Sequence, residues 1–289
     1  MNDAIVPSAV YATRTKNLEV GVMGLNADTR SPGVLAMELA TLSALAPGRV
    51  RIHVGTGSPQ RAAMIGVNGV RTLKDVENFI DSLRTLLRGE SVTVDSEVFS
   101  LDNMQITTAN KALPPVHMDI MAIRPKMTAL AARIADGLSL SVLSSHGYIR
   151  SQVELVEHTL KEVGRKRSDF RVSATVLASI APDLDTARAT LATTMASFPP
   201  GVPEMTAGLS MPDSDAIAAA RSEGGTAQVA KLFSNDIIDA LGLVATPQTL
   251  TSALDNYRAD GVDELIVLPF GPPESHPEFV KLLGTCIDK

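Results

Sequence analysis

Gly48–Pro59 reads GRVRIHVGTGSP. Apolar residues at every second position between a turn glycine and a Gly/Pro-rich run predict a strand over Val50–Gly55. The strand empties into a loop with almost no side chains. Downstream, TLKDVENFIDSLRTLLRG sets Leu73, Val76, Phe79, Ile80, Leu83, Leu86 and Leu87 on one face and stops at Gly89, the pattern of an amphipathic helix with a glycine C-terminus. A strand feeding a helix in this way is the unit of a parallel sheet, which needs a crossover between neighbouring strands.

The same unit repeats along the chain. Candidate strands are Leu18–Met23, Val116–Ile123, Leu138–Leu143, Arg171–Ile180 and Glu264–Pro269, all short and bounded by turn residues. Ser31 before Pro32 opens the helix through LAMELATLSAL, and Thr246 before Pro247 repeats the device ahead of QTLTSALDNYR. The expected class is therefore α/β, with a mainly parallel sheet and right-handed crossovers. Two segments interrupt the rhythm. Residues 90–115 contain ESVTVDSEVFSL, which suits a small hairpin, and residues 181–245 form a longer, mostly helical insertion. Excursions of that size serve as lids or dimer surfaces more often than as plain connectors. The expected organisation is one domain over residues 1–289, the insertion included.

Composition narrows the function. The 289 residues are 45% hydrophobic and 20% charged, a globular balance with material for one large core. A net charge of −6 without blocks of one sign disfavours nucleic acid or anionic lipid and favours a small-molecule partner. Cys286 is the only cysteine, so an intramolecular disulfide, a cysteine metal site and a paired-thiol redox centre are all excluded. No run approaches the roughly 18 apolar residues of a membrane span, and the N-terminus lacks a basic segment followed by an apolar one. A cytoplasmic location is expected. No H-x-x-H, H-E-x-x-H or G-x-S-x-G motif is present, which argues against a zinc or serine hydrolase and leaves no metal site. The eleven methionines are dispersed and read as core filler.

Ligands of parallel α/β folds bind where strands end and loops turn into helices. Gly55, Thr56 and Gly57 stand at such an end. Their glycines allow a flat or phosphorylated ligand close to the backbone, Thr56 and Ser58 add short polar groups, and a plain tight turn explains the triplet equally well. A second such end is Ile123-Arg124-Pro125-Lys126, where two cations flank a helix N-terminus. Solvated loop cations are the competing reading. Asp136-Gly137 closes that helix, with Asp136 a structural hydrogen-bonding residue and Gly137 a left-handed turn. Ser141, Ser144 and Ser145 lie near the end of the next strand, where hydroxyls suit a phosphate. Among the histidines, His53 alternates with Ile52 and Val54 and reads either as a core residue or as a group beside a cofactor. His146 reads as a ligand contact or a capping residue, and His117, His158 and His276 as structural or exposed.

Taken together and in order, GRVRIHVGTGSP, LKDVENFIDSLRTLLRGE, RPKMTALAARIADGLSLS and the C-terminal LGLVATPQTLTSALDNYRADGVDELIVLPFGPP resemble the bacterial luciferase-like superfamily of flavin- or F420-dependent oxidoreductases, most closely its methylenetetrahydromethanopterin-reductase-like branch. The resemblance covers nearly the whole chain and is weakest over residues 181–245. It implies a TIM-like (β/α)8 barrel holding FMN or F420 at its C-terminal face. Gly55, Thr56, Gly57 and His53 would line the ring side, and the Ile123–Lys126 turn (Arg124 and Lys126 above all) with Ser141 would hold the phosphate. Met23-Gly24 would lay a bulged backbone, often with a non-prolyl cis peptide, against the ring. The implied reaction is hydride or oxygen transfer to a small organic substrate, the cofactor carrying the redox chemistry.

The chain departs from the family in three places. Ala4–Lys16 matches the family's second helix and Leu18–Met23 its third strand, so the barrel is expected to be N-terminally shortened. A misassigned start, a partner chain and a rearranged barrel with weakened activity all account for that. Ser58 stands where many relatives carry an acidic residue after G-T-G, and Ile123-Arg124 where many carry glycine. No residue stands out as the proton donor. The alternative function is a weakened or inactive accessory protein that keeps the scaffold. A homodimer is expected, because an open barrel edge and apolar helix faces need cover.

Overall fold

The computed structural model describes residues 3–27, 29–57, 59–64, 66, 72–106, 115–198, 202–269, 274 and 276–286. Ser58 lies outside them. The chain forms two compact units, residues 1–139 with 159–170, and residues 140–158 with 171–289.

The first unit holds α1 (Ile5–Arg14), β1 (Val20–Asn26), α2 (Pro32–Leu45), β2 (Val50–Gly55), α3 (Pro59–Met64), α4 (Leu73–Leu87), the hairpin β3 (Val92–Asp95) and β4 (Ser100–Met104), β5 (His117–Ala122), α5 (Pro125–Ile134) and the start of β6 (Gly137–Leu140). Its strands lie in the order β1-β2-β5-β6, and β1-β2 and β2-β5 are parallel. The expected hairpin forms as an antiparallel pair.

Strand alternation divides this sheet into two unlike faces. Val20, Val22, Ile52, Val54, Met118 and Ile120 share one face and are all buried. Arg51, His53 and Asp119 occupy the other. Helices α2 and α4 supply core through Leu35, Leu39, Leu42, Phe79, Ile80, Leu83 and Leu86. Helix α4 begins at a capping box, the Thr72 hydroxyl accepting from the Asp75 amide and the Asp75 carboxylate accepting from the Thr72 amide. It ends at Gly89, whose φ of 75° is left-handed, as the sequence predicts.

The second unit contains α6 (His146–Glu162), whose last turn counts with the first unit. It also contains β7 (Arg171–Ile180), α7 (Leu184–Met195), α8 (Ser214–Ala230), α9 (Asn235–Leu241), β8 (Leu243–Ala245), α10 (Leu250–Ala259), β9 (Glu264–Pro269) and α11 (His276–Gly284). Strand β7 pairs in parallel with β9 over Ser173–Ala178 and with β8 over Ala178–Ile180. Leu177, Leu191, Met195, Ile237, Ile238 and Leu241 form a core cluster that fastens α7 and α9. Residues 181–245 are mostly helical, as expected.

Several local expectations need correction. Strand β1 begins at Val20 and runs on to Asn26. Strand β6 ends at Leu140, because Leu143 adopts a left-handed φ of 63° that no strand accommodates. Gly137 is no left-handed turn: it opens β6, buried, and is absent from the described glycines of positive φ. Helix α10 starts at Leu250, three residues beyond Pro247; Thr246 and Thr249 instead bond each other's backbone amides in a turn. The sequence reading missed β8, whose three residues are too few for an alternation to show.

Candidate active site

The first unit brings the ends of β1, β2 and β5 together. Met23 pairs with His53 and Leu25 with Val54, so Gly24 is an extra residue bulged out of β1. Its φ is 79°, a conformation that favours glycine. The bulge has a consequence for the side chains beyond it. Leu25 remains on the buried face with Val54, and Asn26 comes level with Gly55 on the polar face. The family-like bulge is present at Met23-Gly24. The cis peptide is not, since all peptide bonds among the described residues are trans.

The G-T-G loop is tied to the same place. The Ala27 amide donates to the Gly55 carbonyl at 3.1 Å. Gly57 has a φ of 67°, and a Cβ there would stand 2.5 Å from Asn26 Nδ2. Glycine at 57 is thus required by Asn26, a partner that the sequence reading did not identify. A Cβ on Gly55 would meet the Met121 side chain at 3.4 Å, whereas one on Gly24 would have nothing within 4 Å. Exposed backbone at Gly24 and Gly57, with open space over Gly24, fits a flat ring laid against the chain.

Beneath this rim the polar face carries a buried ionic cluster. Arg51 donates from Nε to Asp119 Oδ2 at 2.6 Å, and its Nη2 lies 2.5 Å from the same oxygen. His53 Nδ1 is 3.3 Å from that oxygen, and Glu19 approaches Arg51 at 3.8 Å. The Arg51, His53 and Asp119 side chains are 3%, 4% and 0% exposed, so the cluster is sealed. His53 is therefore a core histidine held in an ion-paired layer, in agreement with one of its two sequence readings. Arg51 and Asp119 were missed. Their signal was a charge of each sign inside an otherwise apolar strand, which buried strands carry only when the charges pair.

The second strand end places Ile123 half-buried and Arg124 and Lys126 exposed at the opening of α5. Pro125 has no amide hydrogen, and the Met127 and Thr128 amides both donate to the Arg124 carbonyl. Asp136 is structural, as predicted: Oδ2 accepts from the Met118 amide and Oδ1 pairs with Arg84, both at 2.9 Å. Ser141 is half-buried just past β6, and its carbonyl accepts the Ser144 hydroxyl at 2.8 Å. It belongs to the second unit, whereas Met23, Gly24, His53, Gly55, Thr56, Gly57, Ile123, Arg124 and Lys126 all belong to the first. His146 opens α6 and is paired with Asp260. His117 and His158 are exposed. Among the described residues no group of three or more His, Cys, Asp or Glu side chains is placed to hold a metal, and no helix is long and apolar enough to cross a membrane.

A parallel α/β fold with a glycine-lined strand end above a polar sheet face is the frame in which ligands bind at the strand ends. The profile of the luciferase-like monooxygenase family matches residues 1–264, so the chain belongs to that family and is one of its oxidoreductases. It is 25% identical over 287 residues to the 5,10-methylenetetrahydromethanopterin reductase of Archaeoglobus fulgidus, covering 95% of this chain and 83% of that one. Among solved structures, the coenzyme F420-dependent tetrahydromethanopterin reductase of Methanopyrus kandleri superposes with a TM-score of 0.83 at 20% identity, over 98% of this chain and 86% of the other. A riboflavin lyase solved with modified FMN and riboflavin superposes at 0.68 and 16% identity, over 98% and 73%. The fold is thus the luciferase-like TIM-barrel type.

Proposed function

We propose that the protein is an F420-dependent oxidoreductase that transfers hydride between the deazaflavin and a small organic substrate. The observation that carries this reading is the left-handed bulge at Gly24 beside Gly55–Gly57, which leaves bare backbone above a polar face. Preference for F420 over FMN rests on likeness: the neighbour at TM-score 0.83 is named for F420, and the one bound to modified FMN stands at 0.68.

The cofactor, when bound, supplies the hydride-carrying carbon. The residues of the chain then have separable tasks. Met23, Gly24, Gly55, Thr56 and Gly57 offer backbone and one hydroxyl to the ring. Arg124 and Lys126 supply positive charge at the N-terminus of α5, where a phosphate is favoured by charge and by the helix dipole together. Ile123 shapes that turn. Asp119 and Arg51 keep His53 fixed below the rim.

Titration with F420 and with FMN, followed by fluorescence quenching and repeated with Arg124→Ala, tests this. Saturable micromolar binding of F420, tighter than that of FMN and weakened about tenfold by the substitution, is expected. Binding of neither cofactor refutes the reading and leaves an accessory role for the scaffold.

The protein is further proposed to act as a homodimer. Val6, Val10 and Tyr11 on α1 and Val34, Met37 and Leu45 on α2, two helices that pack together, are all exposed. An apolar face of this kind marks an interaction surface. A dimeric mass by light scattering at micromolar concentration is expected, and a stable monomer refutes it.

A further inference from the structure

The second unit carries a cluster of titratable groups that the proposed chemistry does not use. His146, the first residue of α6, is hydrogen-bonded through Nδ1 to Asp260 Oδ2 at the end of α10. Arg150, one turn later, donates from Nη1 to Asp260 Oδ1 at 2.8 Å. The Asp260 side chain is only 7% exposed, and both of its oxygens are engaged. Nε2 is the ring nitrogen of His146 that remains. Tyr257 lies one turn before Asp260, its ring tilted 43° to the imidazole with centroids 4.6 Å apart. It is 3% exposed, and its hydroxyl makes no hydrogen bond to a described residue. Burial, and then the charge of Asp260, hold that hydroxyl protonated well above the ordinary tyrosine range. It is a neutral donor without an acceptor among the described residues.

Both rings line one cleft of about 280 Å³. It is also lined by Gly242, Leu243 and Val244 and, on α10, by Ser252, Ala253 and Asn256. Arg188 lines it too but is already matched: its Nε and Nη2 reach the two carboxylate oxygens of Asp239 at 2.9 and 2.7 Å. The ionic groups here are thus paired among themselves. What remains in the lining is the hydrogen-bonding capacity of His146, Tyr257, Ser252 and Asn256, set among aliphatic residues.

We propose that this cleft is a binding site for a small neutral organic molecule bearing a hydroxyl group on a compact apolar body. The hydroxyl is placed to donate to His146 Nε2 and to accept from Tyr257. A volume of about 280 Å³ suits a single ring with a short substituent. Asp260 is the positioning residue: it fixes the imidazole tautomer and leaves Nε2 an acceptor. A charged ligand has no unmatched partner in the cleft and gains nothing to offset its desolvation. This inference is independent of the cofactor assignment.

The test uses the full-length protein without cofactor and three probes of one shape: benzyl alcohol, benzoate and benzylamine. Saturation-transfer NMR measures binding, and the His146 ring signal, assigned by its loss in His146→Gln, reports location. Benzyl alcohol is expected to bind saturably and shift that signal, with benzoate and benzylamine at least tenfold weaker. Tyr257→Phe, which removes a hydroxyl that has no partner to lose, weakens binding about tenfold. Ala253→Leu, which fills the cleft, abolishes it while circular dichroism stays native. Absence of benzyl alcohol binding, undiminished binding in Ala253→Leu, or equal binding of the charged probes overturns the proposal.

Discussion

Replacing Asp119 by Asn removes one charge and almost no volume. Asp119 is fully buried, and Arg51, bound to it through two nitrogens, is 3% exposed. The substitution takes the Asp119 carboxylate away from a buried guanidinium, which Glu19 still approaches at 3.8 Å. Removing one partner of a buried ion pair costs about 3–5 kcal/mol, whereas replacing both by apolar residues of similar volume is neutral or even stabilising by about 1–4 kcal/mol. Asp119→Asn should therefore lose about 3–5 kcal/mol. At about 2–4 °C per kcal/mol for chains a little shorter than this one, the thermal midpoint falls by roughly 6–20 °C. Combining Asp119→Leu with Arg51→Met should recover most of that loss. Urea and thermal unfolding of wild type, Asp119→Leu, Arg51→Met and the pair form a double-mutant cycle that isolates the coupling. A single-variant loss below about 1 kcal/mol, or a double variant no better than the singles, would show that the sealed cluster is not the electrostatic unit described.

Three further outcomes follow from particular residues. Gly57→Ala should destabilise by about 1–3 kcal/mol, because it combines a φ of 67° with a Cβ 2.5 Å from Asn26 Nδ2; Asn26→Ala in the same chain should relieve the clash part of this in urea unfolding. Thr72→Ala breaks the capping box of α4 and should cost about 1 kcal/mol, read from the denaturation midpoint. Burial, and then Glu204, push Tyr148 up to about 12 from 10.0. A folded pKa above the unfolded one means that the native state holds its proton longer, so this contribution to stability is complete below pH 10 and is lost as the pH rises from 10 through 12. Alkaline unfolding monitored at 295 nm, compared with Tyr148→Phe, checks this; an identical pH dependence in the variant refutes it.

Much of the fold was readable because secondary structure rests on local periodicity. Strands at Val50–Gly55, Arg171–Ile180 and Glu264–Pro269 have the ends that their flanking glycines and prolines imply. The cap at Ser31 and the stop at Gly89 depend only on neighbouring residues and were equally legible. Legibility failed where local cues competed. Thr246-Pro247 carries the same signal as Ser31-Pro32, yet the hydrogen bonds between Thr246 and Thr249 keep it in a turn. The candidate site was legible as a set of glycines and cations at strand ends, but the reasons for them were not.

From its own order of residues the chain determines an α/β alternation, its strand faces and a likeness to one family, since backbone geometry imposes periods of 2 and 3.6 on any sequence that buries one side. Tertiary structure alone decided that Arg51 meets Asp119, 68 positions away, that Asp260 binds His146 across 114, and that Asn26 makes Gly57 obligatory. Those pairings depend on parallel register, on a one-residue bulge at Gly24 and on how α10 packs against α6. A one-residue slip in any strand reverses which face its charges occupy, and no local pattern records which register the folded chain adopts.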